Sequence, residues 1–364
     1  MRLNNETSAK LEKIERLIFS PLKTGGYFYS KLKKFVLSIR GDLLFRKILE
    51  EKEYQNSDGN LCYLYDLNYY PNSFDLVYCL MVLDSESKKI NKGFSLVIVS
   101  DTDGTQLLDE WHVLGKSSKL FRETNLLVPI AKMFKRCSAV CLFSDRTEAL
   151  QYCSRQNIFH VSGVNPFNEA INVDLFDINY NDYDGIEVPH YALNLVSNWL
   201  NFREIKSNIV SMTIRNQNFQ LERNTDLEFY KEILLFMVSK GYEIVVIPDT
   251  SNFFDVDFVR DWPKCTIFPE ASTNVLLRAA IYQLSSINIF PAGGPATLAH
   301  ANKKCKSVSI LNQIDGVETS TMEYWEKEGT LDNNFQFLND QKQVVLFNPT
   351  SQDVKDNIIK RVSR

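Results

Sequence analysis

From residue 61 onward, short runs of apolar residues alternate with longer stretches in which apolar positions recur every three or four residues. The short runs read as strands and the longer ones as helices. Strands are predicted at 61–65 (LCYLY), 94–99 (FSLVIV), 139–143 and 158–161, with helices at 74–83 (FDLVYCLMVL), 120–134 and 145–154. This β-α-β-α-β-α-β order predicts a parallel sheet with helices on both faces. The strand runs are apolar throughout, as strands covered on both faces must be. Residues 163–190 break the pattern with Asn, Asp, Gly and Pro and suit a crossing between domains. A second series follows, with strands at 208–213, 243–248, 265–268, 287–290 and 306–311. Its helices fall at 226–240, where Gly241 takes the position just past the end, at 273–284, and at 351–362, capped by Thr350 or Ser351.

The pattern describes an α/β protein of two doubly wound Rossmann-like domains behind a basic helical arm. The arm spans 1–55, the first domain 56–165, a linker and helix 166–205, the second domain 206–346, and a C-terminal helix 347–364. A length of 364 residues suits two domains.

Charge adds one feature to this outline. The chain carries −4 overall, but residues 1–50 carry +6, so the remainder carries −10. A basic arm on an acidic body does not resemble a nucleic-acid binder with one broad positive face. In YFYSKLKKFVLSI, Phe28, Leu32, Phe35, Val36 and Ile39 share one helical face, with Lys33 and Lys34 opposite and Lys31 on the flank. Residues 10–47 therefore either touch an anionic membrane or pack on the body with their lysines solvated. The N-terminus lacks the apolar core of a signal peptide, no apolar run reaches the roughly 18 residues of a membrane span, and the seven cysteines are scattered in apolar contexts. Together these predict a cytoplasmic protein with reduced thiols, peripheral on the inner face of the cell membrane if the arm binds lipid.

In open parallel sheets ligands bind where strands end and helices begin. The sharpest such place is INIFPAGGPATLAHANKK, in which a strand runs through Ala292, Gly293, Gly294 and Pro295 directly into a helix. The glycines permit positive φ and close backbone approach, and Pro295 suits the first helical turn. Such a helix start, with Ala296 and Thr297, offers amides to a phosphate, or is simply a tight strand-to-helix turn. The strand-small-Gly-Gly-Pro-helix sequence resembles the donor-diphosphate loop of bacterial GT-B glycosyltransferases, including the heptosyltransferase-like group. Residues 65–75 (YDLNYYPNSFD), 122–130 (RETNLLVPI), 213–250 and 272–298 are similar to a group of bacterial surface-polysaccharide glycosyltransferases. The two glycines depart from the simpler Asp/Thr-Gly-Pro turn of heptosyltransferases.

The resemblance implies the GT-B fold and an inverting, metal-independent glycosyltransferase with no cofactor. Its partners would be a nucleotide-sugar donor and a glycan or lipid-linked glycan acceptor of lipopolysaccharide or capsule, without nucleic acid. The donor side would hold Arg215, at the end of the strand opening the second domain, Arg223 before the next helix, Asp249, and Gly293, Gly294, Pro295, Ala296 and Thr297. Arg215 otherwise reads as a surface arginine paired with Asp226 or Glu222, and Asp249 as a helix cap; Glu270 is expected to sit in a cap involving Ser272. An inverting mechanism needs a general base in the first domain. Asp66, at the end of the first strand with Asn68 close by and Asp75 after a Pro-Asn-Ser turn, is the candidate, with Asp101 and Asp103 as reserves; each otherwise reads as a turn aspartate. Asn68, Lys116, Lys119, Arg122 and Asn125 would line the acceptor side. Two further readings stay open: a GT-B nucleotide-sugar 2-epimerase and a non-catalytic sugar-nucleotide-binding subunit of a polysaccharide assembly complex.

Other signals lead elsewhere or nowhere. Gly115-Lys116-Ser117 lacks the first glycine of a P-loop, because position 110 is Glu110. No GxGxxG follows a strand, the four histidines form no metal-ligand pair, and GxSxG is absent. Asp101-Thr102-Asp103 spells the DxD of a metal-dependent GT-A transferase, a fold that leaves the second wound domain unexplained.

Overall fold

A computed structural model of the chain describes residues 61–67, 70–100, 116–153, 157–158, 178–205, 208–218, 220–250, 252, 257–259, 261–314, 317, 320–323 and 335–363. Asn68, Asp101, Asp103 and the basic arm, including residues 10–47, lie outside the described residues.

The first lobe is a parallel sheet in the order β3-β2-β1-β4. Its strands are β1 (Leu61–Asp66), β2 (Phe94–Val99), β3 (Cys137–Phe143) and β4 (Asn157–Ile158). Helix α1 (Leu76–Lys89) follows β1 and buries Leu76, Val77, Cys79, Leu80, Met81, Val82 and Leu83. These residues cover every side of the helix, so α1 is a core element packed on its own sheet and on the second lobe. Helix α2 (Lys116–Arg122) runs through a π turn (Glu123–Leu127) into α3 (Val128–Met133). The sequence predicts one unbroken helix there. Pro129 accounts for the change, since its ring and missing N–H conflict with the Asn125 carbonyl one turn earlier, and the widened turn relieves the clash. Helix α4 (Arg146–Cys153) completes the lobe.

The second lobe is a six-stranded parallel sheet in the order β10-β9-β8-β5-β6-β7. Its strands are β5 (Ile209–Thr213), β6 (Glu243–Ile247), β7 (Cys265–Ile267), β8 (Ile287–Phe290), β9 (Ser307–Leu311) and β10 (Gln343–Phe347). Counted from its own first strand, the order is that of a dinucleotide-binding fold, with the reversal between β5 and β8. Every residue of β5 and β8 is buried. Helix α5 (His190–Phe202) precedes the sheet, and Trp199 stacks on Phe268 at 4.1 Å. Helix α6 (Leu227–Ser239) is capped by Asp226, and Gly241 just past its end has φ +86°. Helices α7 (Glu270–Thr273), α8 (Val275–Leu284), α9 (Ala296–Ala301) and α10 (Ser351–Val362) follow, the last held by a Thr350–Asp353 capping box. Strand β10 is an addition to the predicted set. The predicted cap at Glu270 is not formed: Ser272 Oγ donates instead to the Pro248 carbonyl at 2.7 Å.

The two lobes belong to one compact unit and share a continuous apolar core. Residues 178–188 stitch them together. Asp84, fully buried on α1, accepts the Asp184 and Gly185 amides at 2.7 and 2.9 Å. Gly185 has φ +81°, and a Cβ there would run into the Ala301 carbonyl of α9. Asp84→Ala leaves both amides without an acceptor and is expected to destabilise the chain by about 2–4 kcal/mol, read as a lowered urea midpoint.

A second bond between lobes joins Tyr78 Oη of α1 to His300 Nδ1 of α9 at 3.1 Å, while His300 Nε2 meets Ser309 Oγ at 3.0 Å. Burial lowers the His300 pKa to about 4, so the ring is neutral in the folded chain. An unfolded histidine titrates near 6.5, so this contribution is complete above that pH and fades as pH falls towards 4. The full effect is on the order of 3 kcal/mol. Buried Asp75 and Asp84, whose pKa values are raised by burial, act in the opposite sense. The expected signature is therefore a difference: the stability gap between wild type and His300→Gln shrinks between pH 7 and pH 4.5. A gap independent of pH would contradict it.

Candidate functional site

Phe74, just before α1 of the first lobe, packs against Gly294 of the Gly-Gly-Pro loop of the second. On the second lobe, the reversal of strand order sets the end of β5 beside the end of β8, so Arg215 and Gly293–Gly294 follow neighbouring strand ends. The Arg215 loop is tightly held. Its amide donates to Thr225 Oγ1 at 2.8 Å, and its Nη1 donates to the Gln220 carbonyl at 3.0 Å and to Asn224 Oδ1 at 2.7 Å. Gln220 adopts left-handed φ (+50°), which folds the loop back so that Arg223 Nη1 can reach Gln220 Oε1 at 2.8 Å. Arg215 is thus anchored by amide and carbonyl oxygens in a loop of its own, rather than by an ion pair with Asp226, which caps α6. Burial and the neighbouring Arg223 charge lower the Arg215 pKa to about 10, against the opposing pull of Asp249 and Glu222.

Asp249, 9% exposed after β6, accepts from Asn216 N at 3.4 Å and Gln217 Nε2 at 3.3 Å. Its carboxylate also acts electrostatically on Arg122 of the first lobe, whose pKa is lowered by burial and pushed back up by Asp249. Arg122 stands at the end of α2, with Nη1 on the Asn72 carbonyl at 3.2 Å. Asn72 in turn donates to the Lys119 carbonyl at 3.0 Å, which locks the 70–75 turn to α2.

That turn also places Asp75. Tyr70 N bonds to the Asp66 carbonyl at 2.9 Å and Tyr65 Oη to the Pro71 carbonyl at 2.8 Å, so the chain doubles back before α1. Asp75 then stands at the α1 N-terminus with Ser73 Oγ donating to its Oδ2 at 2.5 Å. Burial raises its pKa, with the Ser73 bond and the Arg223 charge of the second lobe working the other way. Three guanidinium groups, Arg122, Arg215 and Arg223, and two carboxylates, Asp75 and Asp249, are therefore coupled across the lobes.

Other candidates are placed differently. Asp66 is buried at the end of β1, within the first sheet. Asn125 is exposed and uses its amide on the Phe121 carbonyl and Thr124 Oγ1 of its own helix. Lys116 opens α2, but its side chain lies outside the described residues. In the Gly-Gly-Pro loop, the Ala296 and Thr297 amides are already bonded to the Gly293 and Gly294 carbonyls at 3.3 and 3.0 Å. The expectation that these two amides stand bare is thereby corrected: successive tight turns carry the strand into a helix of six residues. Neither glycine has positive φ. Gly294 serves close approach instead, because a Cβ there would lie 2.8–3.1 Å from the Cβ, Cγ and Cδ2 of Phe74. Thr297 Oγ1 donates to the Phe74 carbonyl at 3.4 Å and to that of Gly294 at 2.8 Å.

No family model matches the chain, and none of the curated proteins does. Solved structures do match. The glycosyl transferase family 9 protein from Veillonella parvula superposes with a TM-score of 0.51 at 9% identity, over 84% of this chain and 98% of that one. The ADP-heptose LPS heptosyltransferase II of E. coli aligns over the same shares of both chains, with a TM-score of 0.42 and 8% identity. The first likeness establishes the fold: two wound α/β lobes arranged as in the GT-B class.

Proposed function

We propose that the chain is a glycosyltransferase that moves a sugar from a nucleotide-sugar donor onto a hydroxyl of a bacterial surface glycan, with inversion and without a metal. The observation that carries the reading is the coupling of Asp75 on one lobe to an arginine cluster on the other, at the strand ends where this fold class binds ligands. The donor's diphosphate would lie against Arg215 and Arg223, with Arg122 closing from the first lobe, and its developing charge would be met by fixed guanidinium groups. Asp249 and the Gly293–Thr297 loop would border the sugar end. Asp75 replaces Asp66 as the general base: it faces the second lobe, and burial raises its pKa towards the working range of a base. The acceptor hydroxyl gives its proton to Asp75 while its oxygen attacks the anomeric carbon, and the nucleoside diphosphate leaves with the bonding electrons. The fold shared with a glycosyl transferase family 9 protein supports sugar transfer as the activity. Among the described residues no helix is long and apolar enough to cross a membrane; contact with lipid, if made, would fall to residues 10–47.

Incubating the purified chain with UDP-, GDP-, ADP- and CMP-sugars and a lipopolysaccharide or capsule acceptor tests the reading. Release of nucleotide with a glycosylated product supports it. Interconversion of the free nucleotide-sugar without acceptor would replace it with an epimerase, and binding without turnover by a non-catalytic subunit.

A further inference from the structure

Arg278 lies on α8 within VLLRAAIYQL, the one charged residue of that helix, and is 2% exposed. Its Nε donates to the Ala271 carbonyl at 2.7 Å, and its guanidinium carbon stands 6.0 Å from the centre of the Phe74 ring. The Tyr282 hydroxyl, bonded to Thr213 Oγ1 at 2.8 Å, also interacts with the Arg278 guanidinium through its charge and a side-chain hydrogen bond. Its Nη2 is buried and has no hydrogen-bond partner, and Arg278 belongs to none of the ion pairs among the described residues.

Arg361 provides a contrast within the same chain. It is 3% exposed, and its Nη1 and Nη2 are spent on Asn357, Asp340 and Gln343 oxygens at 2.9–3.3 Å. That is how a structural guanidinium repays its desolvation. Arg278 has one carbonyl, the Tyr282 hydroxyl and one aromatic face, and its Nη2 has no partner.

The aromatic face connects Arg278 to the site. Phe74 is half-buried, and the same ring that Arg278 faces is packed against Gly294. We propose that Arg278 is a further ligand of the donor's diphosphate, screened in the unliganded chain by Phe74, which covers Gly294 and the guanidinium together and swings away when the diphosphate enters. This rests on the glycosyl-transfer reading above. The ring is a modest substitute for the anion: a cation on an aromatic face is held more weakly than one in bidentate contact with phosphate. The exchange therefore favours the liganded state.

Titration calorimetry on the full chain, with inorganic pyrophosphate and with ADP, GDP and UDP as probes, tests the proposal. Phe74→Ala removes the competitor and is expected to tighten binding about tenfold. Arg278→Met is expected to weaken it by at least about tenfold, and by more in the Phe74→Ala background than in wild type. Should Arg278→Met fail to fold, phenylglyoxal modification of the Phe74→Ala chain, mapped by mass spectrometry, gives a second readout. Arg278 is expected to react faster there than in wild type and to be protected by pyrophosphate. Unchanged affinity in a folded Arg278→Met chain, unchanged affinity in Phe74→Ala, or modification of Arg278 that pyrophosphate does not slow would overturn the proposal. If Arg215→Ala loses binding while Arg278→Met keeps it, the proposal falls and the glycosyl-transfer reading stands. If wild type binds none of the probes, both fall.

Discussion

Asp75→Asn is expected to lower kcat by about 10²–10⁴-fold, the contribution of a positioned general base, with donor affinity within about twofold of wild type. The amide keeps the size of the side chain and can still accept from Ser73 Oγ, so the turn before α1 should survive. What it loses is the capacity to take a proton. Because burial raises the Asp75 pKa, the acid limb of the kcat/KM profile should lie above the ordinary carboxylate value of about 4. Activity falls as pH drops through the raised value, because the protonated carboxyl cannot serve as a base. Initial rates from pH 4 to 8, with donor binding measured separately by calorimetry, check both points. Full turnover by Asp75→Asn would remove it from the mechanism; the same experiment on Asp66→Asn should leave most of the activity in place.

The second large effect is expected at Arg215. Arg215→Ala should reduce kcat/KM by about 10²–10³-fold, the loss typical of removing one donor from a site where negative charge develops. Lysine should restore only part of it. The guanidinium bonds the Gln220 carbonyl and Asn224 Oδ1 through one nitrogen, and a planar fork leaves further donors for phosphate, whereas an ammonium is a compact point charge. A value near 10 leaves Arg215 charged at neutral pH, so between pH 6 and 8 the loss should not depend on pH. Steady-state kinetics for both variants decide this. Equal rates for wild type and Arg215→Ala would place the diphosphate elsewhere.

The fold was legible because its strongest signals are local. The fully apolar runs of β5 and β8, the helix closed by Gly241 and the capped C-terminal helix can each be read within a dozen residues. The π turn was hidden because Pro129 tolerates a helix once the preceding turn widens. The strand β10 was hidden because QVVLF is short and gains its partner β9 from a segment over thirty residues earlier. At the candidate site, strand-end position draws attention to Arg215 and Asp249, since each follows a strand of the second sheet directly. The surroundings of Asp75, Gly294 and Arg278 are built by residues distant in sequence. Phe74 and Thr297 are separated by 223 positions, and nothing near either residue announces that they touch. Gly294 therefore reads as a phosphate-loop glycine when its immediate reason is the Phe74 ring. Asp66 reads as a candidate base because it ends a strand, whereas the proposal of Asp75 draws on the charge of Arg223, almost 150 positions away. For Arg278 one signal was present: a lone charge in an otherwise apolar helix.

Binding of nucleoside diphosphate to the unmodified chain tests the central claim most directly, because the whole account requires the arginines at the interlobe crevice to hold a diphosphate. Thermal unfolding followed with ADP, GDP, UDP and CDP should show at least one of them raising Tm, with a gain of about 2.7 kcal/mol in stability at a hundredfold excess over its Kd. The shift should vanish in Arg215→Ala. A Tm unmoved by all four, at millimolar concentration and low salt, would contradict the account.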